Sequence, residues 1–165
     1  MIAVPAAKRA RRSPRISFRP YTPADFETLY EIDQACYPAD IAYSRPELRA
    51  YLRFPGADCL VATVQVNQRA QPIAFCLSAH QATRGHIITI DVLEPHRRHH
   101  VGSRLLEAVE NRLAESGVRE VTLETATDSD SAIAFWHKHG YRTRGVWKGY
   151  YPGGRDAYAM IKSIA

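Results

Sequence analysis

The chain has 165 residues, 45% of them hydrophobic, which is enough for one globular domain with a packed core. No apolar run approaches the roughly 20 residues that span a bilayer, and Cys36, Cys59 and Cys76 can neither all pair nor form a close metal-ligand or redox spacing. A membrane protein and a disulfide scaffold are thereby excluded, and a soluble, cytoplasmic protein with reduced packing cysteines is expected. The net charge of +5 equals the excess of Lys8, Arg9, Arg11, Arg12 and Arg15 in a stretch without acids, so the remainder is formally neutral.

In chain order, residues 1–14 read as a basic tail without hydrophobic periodicity, expected to be disordered. It lacks the apolar core of a secretory signal. Its charge suits a polyanion or ribosome contact; the alternative is a solvated, dispensable extension. Residues 15–165 read as a single domain. Ile16 to Arg19 is a short strand, and Pro23 opens a helix after the cap candidate Thr22. Phe26, Leu29, Tyr30, Asp33, Cys36 and Tyr37 share one helical face, with Asp33 the odd polar member. Ser44 begins a second short helix with Pro46 and Glu47 in its first turn. Leu60 to Val66 and Ile73 to His80 are strands separated by a polar turn region, residues 67–72.

The run Ile87, Ile88, Ile90, Val92 and Leu93 suggests a strand buried on both faces, ended by Pro95. Beyond Arg97, Arg98, His99 and His100, the period becomes helical: Val101, Leu105, Leu106, Val109 and Leu113 make one stripe. A helix start carries unpaired N–H groups and partial positive charge, so this basic turn is an anion site in outline. Residues 121–125 form a further strand, and a helix capped by Asp128 or Ser129 is stopped by Gly140. The resulting order, βααβββαβαββ, gives an α/β protein with a mixed sheet of six to seven strands flanked by about four helices.

The segment Arg97-Arg98-His99-His100-Val101-Gly102 resembles the Arg/Gln-x-x-Gly-x-Gly/Ala signature of the GNAT N-acetyltransferases, with His100 in the place of the first glycine. Residues 129–141 resemble that family's Asn-x-x-Ala-Ile-x-Leu-Tyr-x-Lys-x-Gly-Phe stretch, with Ser129 at the Asn position and Trp136 at the tyrosine. Tyr150-Tyr151-Pro152-Gly153-Gly154-Arg155-Asp156-Ala157 resembles the Tyr-Tyr-x-x-x-x-Asp-Ala hairpin of the ribosomal-protein N-terminal alanine acetyltransferases. So do Arg19-Pro20, Pro23-Ala24-Asp25 and Cys36-Tyr37-Pro38. Together these matches span residues 15–163 in order. The resemblance implies the GNAT fold and direct transfer of acetyl from acetyl-CoA to a primary amine, most specifically a protein or peptide N-terminal α-amine, without a metal.

Several residue roles follow from the resemblance. The strand before the loop is expected to splay from its neighbour, leaving backbone at Asp91, Val92 and Leu93 for the pantetheine arm. Arg97, Arg98, His99, His100, Val101, Gly102 and Ser103 would hold the pyrophosphate, with Ser129 and Trp136 along the same cofactor. His100 must either point outward or add its imidazole to phosphate binding. Glu124 falls at the general base position; the alternative is a surface glutamate or an ion pair with an arginine. Trp136 cannot act as an acid, so protonation of the departing thiolate falls to Tyr141, Tyr150, Tyr151 or solvent. Tyr37, Tyr150 and Tyr151 are the substrate-binding candidates. Tyr150 and Tyr151 would point to opposite faces of a hairpin, so at most one would line the channel. His99 and His100 are adjacent and no cysteine lies near, so no metal site is assigned. A small-amine or lysine acetyltransferase, and a catalytically weak acyl-CoA-binding protein, remain as alternatives. A monomer and a homodimer are both open.

Overall fold

Period-two alternation of buried side chains builds a sheet, and 3.6-period stripes lay helices on both of its faces. The computed structural model describes residues 14–165, so the expectation for the basic tail lies almost wholly outside the described residues. The elements are β1 (Ile16–Pro20), a 3-10 turn at Pro23–Asp25, α1 (Phe26–Cys36), α2 (Arg45–Leu52), β2 (Ala57–Val66), β3 (Arg69–Gln81) and β4 (Arg84–Val92). A 3-10 turn at Glu94–His96 leads to α3 (Val101–Glu115), β5 (Glu120–Ala126), α4 (Asp130–Lys138), β6 (Arg142–Trp147) and β7 (Ala157–Ser163). This is the expected order. The seven strands form one mixed sheet, β1-β2-β3-β4-β5-β7-β6.

The stripe Val101, Leu105, Leu106, Val109 and Leu113 of α3 is fully buried, against Ala62, Val64, Ala74 and Cys76 of the sheet. Alternate residues of the same strands, Val61, Phe75 and Leu77, face Phe26, Leu29 and Ile32 of α1 and Leu48 of α2. Helix α2 starts on the capping box expected at Ser44, whose amide donates to Glu47 Oε2 at 2.8 Å. Gly140 stops α4 in the left-handed conformation, φ +86°. The cap expected on α4 is absent: Ser129 makes no side-chain cap bond, and Asp128 is held by Arg155 instead.

Two sequence expectations need correction. The polar stretch 67–72 is not all turn. Asn67 and Gln68 alone make the connection, both left-handed (φ +49° and +63°), and strand β3 resumes at Arg69. This is the geometry of a two-residue hairpin whose twist suits the flanking strands. Pro72, which lacks an N–H, is tolerated because pairing jumps from Ala62↔Ala74 to Thr63↔Pro72, leaving Ile73 as a bulge. Nor is β4 buried on both faces. Gly85, Ile87, Thr89 and Asp91 are buried, whereas His86, Ile88, Ile90 and Val92 are half-buried.

The reason is the way β4 leaves its neighbour. Parallel pairing with β5 lasts only for Arg84↔Glu120, Gly85↔Val121 and His86↔Thr122. A Cβ on Gly85 would lie 3.1 Å from Val118 Cγ1 and 3.3 Å from Leu113 Cδ1, so the end of α3 and the connection to β5 pack closely on β4 there. Two residues past His86, pairing with β3 jumps from Ser78↔Ile87 to Leu77↔Thr89, and the extra residue Ile88 bends β4. Beyond this point β4 and β5 diverge.

Gln68 carries the cost of a left-handed side chain that glycine does not. Gln68→Gly should stabilise the fold by about 0.5 kcal/mol, a gain of about 1 kcal/mol offset in part by added freedom of the unfolded chain. Urea unfolding midpoints measure it.

Candidate functional site

The divergence opens a cleft of roughly 1800 Å³, floored by β4 and β5 and lined by the turn before α3, the start of α4, and the segments joining α1 to α2 and β6 to β7. Along the freed edge, Leu93 N–H bonds to Ile73 O at 3.0 Å, so the alternation of an antiparallel ladder turns the Val92 and Ile90 backbone groups outward. Their carbonyls do not stay bare. Tyr43 and Tyr37 hydroxyls donate to Ile88 O and Ile90 O at 3.3 and 3.2 Å, and Arg97 Nε donates to Val92 O at 2.8 Å. Cys36 Sγ also lies 3.5 Å from Val92 O, and burial pushes its thiol pKa up to about 11. The amides of Ile90 and Val92 remain directed at the cleft.

Leu93 does not share this exposure. Its carbonyl takes the His96 N–H at 2.9 Å and its amide is bonded to β3, so both backbone groups expected to meet a cofactor are engaged. His99 likewise does not line the cleft, whereas Arg97, Arg98, His100, Val101, Gly102 and Ser103 do. The turn curls through two left-handed residues, Arg98 (φ +62°) and His100 (φ +60°). His100 thus takes a backbone conformation that favours glycine, with an exposed side chain and no cap bond. The first amides of α3 are free of intrahelical partners by construction and line the cleft with two cationic side chains close by, an anion-binding arrangement. Gly102 packs closely: an added Cβ would lie 3.4 Å from the Phe135 ring and 3.6 Å from Val92. Ser103 Oγ is 2.9 Å from His139 Nε2, and His139 packs tilted against the Phe135 ring at 4.5 Å, a support the sequence did not suggest.

On the opposite wall, Glu124 of β5 is not paired to an arginine. Its Oε2 lies 3.0 Å from His86 Nε2, and His86 Nδ1 lies 2.9 Å from Thr122 Oγ1. His86 was not among the sequence candidates, because its partner is supplied by the register of β4 on β5. Tyr150 and Tyr151 both line the cleft, contrary to the expectation that only one would. They lie in the irregular segment between β6 and β7, not in a strand, and their rings meet edge to face at 5.0 Å. Burial and then the charge of Glu124 raise both hydroxyl pKa values, Tyr151 to about 12. Asp156 closes the segment by accepting from Gly149 N and Lys148 Nζ at 2.8 and 3.0 Å.

Trp136 is buried, 5% exposed, with its ring against Phe135 and Tyr141 at the inner end of the cleft. Tyr141 is withdrawn from any role as acid: its hydroxyl donates to Glu110 Oε1 at 2.8 Å, and it does not line the cleft. Ser129 and Asp91 line it. Asp91 is deeply buried and bonded by Thr89 Oγ1 at 2.5 Å. Below it lies Asp33 of α1, fully buried, which accepts from Tyr43 N at 2.8 Å and Gln34 Nε2 at 3.2 Å. Asp33 Oδ1 and Asp91 Oδ2 find no donor. Burial holds both carboxyls above their ordinary range, and the charge of Asp33 pushes Asp91 further. One proton shared between them satisfies both orphan oxygens.

This chemistry fixes a sign. At low pH, folded and unfolded chains both hold the carboxyl protons and the pair costs nothing. As pH rises past about 4, the unfolded chain releases them while the folded one does not, so stability falls as pH climbs toward the folded values. Asp91→Asn should remove that decline, gaining on the order of 1 kcal/mol over wild type at alkaline pH and little at acid pH, as read from urea midpoints across the range.

The family model described as Acetyltransferase (GNAT) family matches residues 26–141. An N-alpha-acetyltransferase of Saccharolobus solfataricus is 35% identical over 82 residues, 49% of this chain and 49% of that protein. The match thus spans about half the length of that relative. The [Ribosomal protein bS18]-alanine N-acetyltransferase of Escherichia coli is 24% identical over 147 residues, covering 86% of this chain and 93% of that one. Among solved structures, the ribosomal-protein-S18-alanine N-acetyltransferase from Escherichia coli superposes with a TM-score of 0.80 at 21% identity, over 92% of this chain and 95% of its own. Ard1 from Thermoplasma volcanium gives 0.80 at 27% identity, over 91% and 98%.

Proposed function

The chain belongs to the GNAT acetyltransferase family, and from that premise we propose that it moves an acetyl group from acetyl-CoA to the α-amine of a protein or peptide N-terminus. The observation that carries this reading is the cleft itself, which puts an anion-binding helix start at one end and a carboxylate among tyrosines at the other. Acetyl-CoA fits the residues present. The amides of Val101, Gly102 and Ser103, with Arg98 and His100, would hold its pyrophosphate, and the outward amides of Ile90 and Val92 would meet its arm. Arg97 supports the loop from behind through Val92 O. When bound, acetyl-CoA supplies the activated thioester.

The protein's part is to orient and to move protons. Backbone N–H groups fixed on the open edge of β4 are donors of the kind that stabilise a developing oxyanion. Glu124 is the base that takes a proton from the attacking ammonium, and its position 19% exposed keeps it reachable from the cleft. Tyr150 or Tyr151 is the donor to the departing thiolate, Trp136 being unsuited. Both tyrosines also wall the acceptor's path, whereas Tyr37 serves the β4 edge. An N-terminal amine is favoured over a small amine by the four tyrosines on the cleft, Tyr43, Tyr51, Tyr150 and Tyr151, which offer a peptide aromatic surface and hydroxyls beyond the reacting amine. We read residues 15–165 as the catalytic domain and 1–14 as a tail suited to a polyanion such as the ribosome. Among the described residues no helix is long and apolar enough to cross a membrane. Three free thiols support a reducing, cytoplasmic setting.

CoA release measured with matched peptides tests the reading: release with free N-termini and none with blocked N-termini bearing free lysine is expected. Release from neither, with acetyl-CoA bound, would sink it. Glu124→Gln should lower kcat about a hundredfold with acetyl-CoA affinity unchanged. Gly102→Leu should weaken acetyl-CoA binding at least tenfold, because its side chain enters the space between Phe135 and Val92. His100→Gly should stabilise the fold by about 0.5 kcal/mol, relief of a left-handed side chain being offset in part by added freedom of the unfolded chain, measured by thermal unfolding without ligand.

A further inference from the structure

The face of the sheet that carries Glu124 continues beyond the cleft. Helices α1 and α2 pack on β2 and β3 from this side, and among the described residues β6 is exposed along its whole length. Side chains alternate along a strand, so Glu120, Thr122 and Glu124 of β5 share the face. Register sets Ala159 and Gly145 across from Glu124, and Ile161 and Arg142 across from Thr122. A Cβ on Gly145 would meet nothing within 4 Å, so the row beside Glu124 is open. Between these rows the pairing of β6 with β7 jumps from Thr143↔Met160 to Gly145↔Ala159, and the extra residue, Arg144, turns to the side of Arg142. Arg84, opposite Glu120 at the start of β4, completes the group. Arg84, Arg142 and Arg144, with Glu120 and Ile161, line a hollow of roughly 360 Å³.

The charge of this hollow is not neutralised. Arg19, Arg45, Arg112 and Arg155 are each bonded to a carboxylate, whereas among the described residues Arg84, Arg142 and Arg144 make no ion pair. One carboxylate, Glu120, beside three guanidiniums leaves an excess of two positive charges. Like charges held together repel, and an anion placed among them relieves the repulsion. Guanidinium forks match a carboxylate through paired N–H donors.

We propose that the hollow is a specificity subsite for an acidic side chain of the acceptor, four or five residues from its N-terminus. This rests on the reading of the protein as an N-terminal acetyltransferase. Glu120 lies four residues from Glu124 along β5, about 13 Å at about 3.3 Å per residue. An acceptor with its amine at Glu124 and its chain extended over the open row reaches the hollow with its fourth or fifth side chain. Aspartate or glutamate there meets the guanidiniums, and lysine or arginine is repelled by them.

The test is CoA release with acetyl-CoA and peptides of roughly ten residues that share their first three. They carry two glutamates, two glutamines or two lysines at positions 4 and 5, or two glutamates at the last two positions only. The kcat and KM are read at low and high salt for wild type, Arg142→Gln/Arg144→Gln, Arg142→Glu/Arg144→Glu and Arg84→Gln, with thermal midpoints and acetyl-CoA affinities alongside. In wild type, KM with glutamates at positions 4 and 5 should be about fivefold below that with glutamines, kcat changing little and the advantage shrinking as salt rises. The glutamine double variant should lose the advantage and the glutamate one should reverse it toward lysines; Arg84→Gln alone should lose part of it. Equal KM for all peptides in wild type overturns the subsite and leaves the N-terminal reading standing. An advantage that persists in the arginine variants, or is as large for glutamates at the far end, overturns it too. An RNA oligonucleotide held by wild type and released by the arginine variants, with no peptide preference, gives the hollow to nucleic acid instead. Release from no peptide, with acetyl-CoA bound, overturns the N-terminal reading and the subsite with it.

Discussion

The parting of β4 from β5 is the constraint on which the rest of this molecule depends. Parallel strands ordinarily stay hydrogen-bonded along their length, because an unpaired backbone group buried away from water is costly. Here three pairs hold and the bulge at Ile88 then bends β4 away. Everything chemical lies in the resulting wedge. The last paired residue, His86, touches Glu124 across it, and the two edges it separates become the floor of the cleft.

An opened sheet leaves polar groups to satisfy, and the way this is done ties distant parts of the chain together. Carbonyls of Ile88, Ile90 and Val92 each accept from a side chain, two from the segment after α1 and one from the turn before α3. The segment after α1 and the turn before α3 are thus both fastened to the same strand. Beneath them Asp33 of α1 and Asp91 of β4 are buried with one oxygen of each unpartnered, and Asp33 also holds Tyr43 N. A change at either end of the cleft is felt at β4. A buried carboxyl pair of this kind is a precise but expensive fastening, since both groups lose solvation and one must stay protonated.

Much of this architecture was legible in the sequence, and what was not shares a cause. Helix stripes, the strand runs and Gly140 announce themselves locally, so the order of elements followed from periodicity. The basic turn before an amphipathic helix was also legible, and Arg98, His100 and Val101–Ser103 of it line the cleft. Local reading failed where a partner comes from another strand. Residues 69–72 look like a polar loop because nothing in them reveals the bulge at Ile73 that lets Pro72 sit in a ladder. Asp33 stood out as a polar residue on an apolar face, but Asp91 lies 58 positions on and only the register of β4 over α1 joins them. His86 was hidden for the same reason, its partner Glu124 being fixed by three pairs of a parallel ladder. Tyr150 and Tyr151 were placed on opposite faces by a strand rule that does not govern the irregular segment they occupy.

Arg155 makes a further point about access. Its guanidinium reaches Asp40, in the segment after α1, at 3.0 Å and also Asp128, before α4. A Cβ on Gly153 would lie 3.1 Å from the Asp40 carboxylate, so those two segments are in close contact as well. Three loops that line the cleft are therefore laced together by one side chain. A guanidinium shared between two carboxylates acts as a brace, so a displacement of any one of these walls is passed to the other two, and the width of the cleft there is a property of all three together.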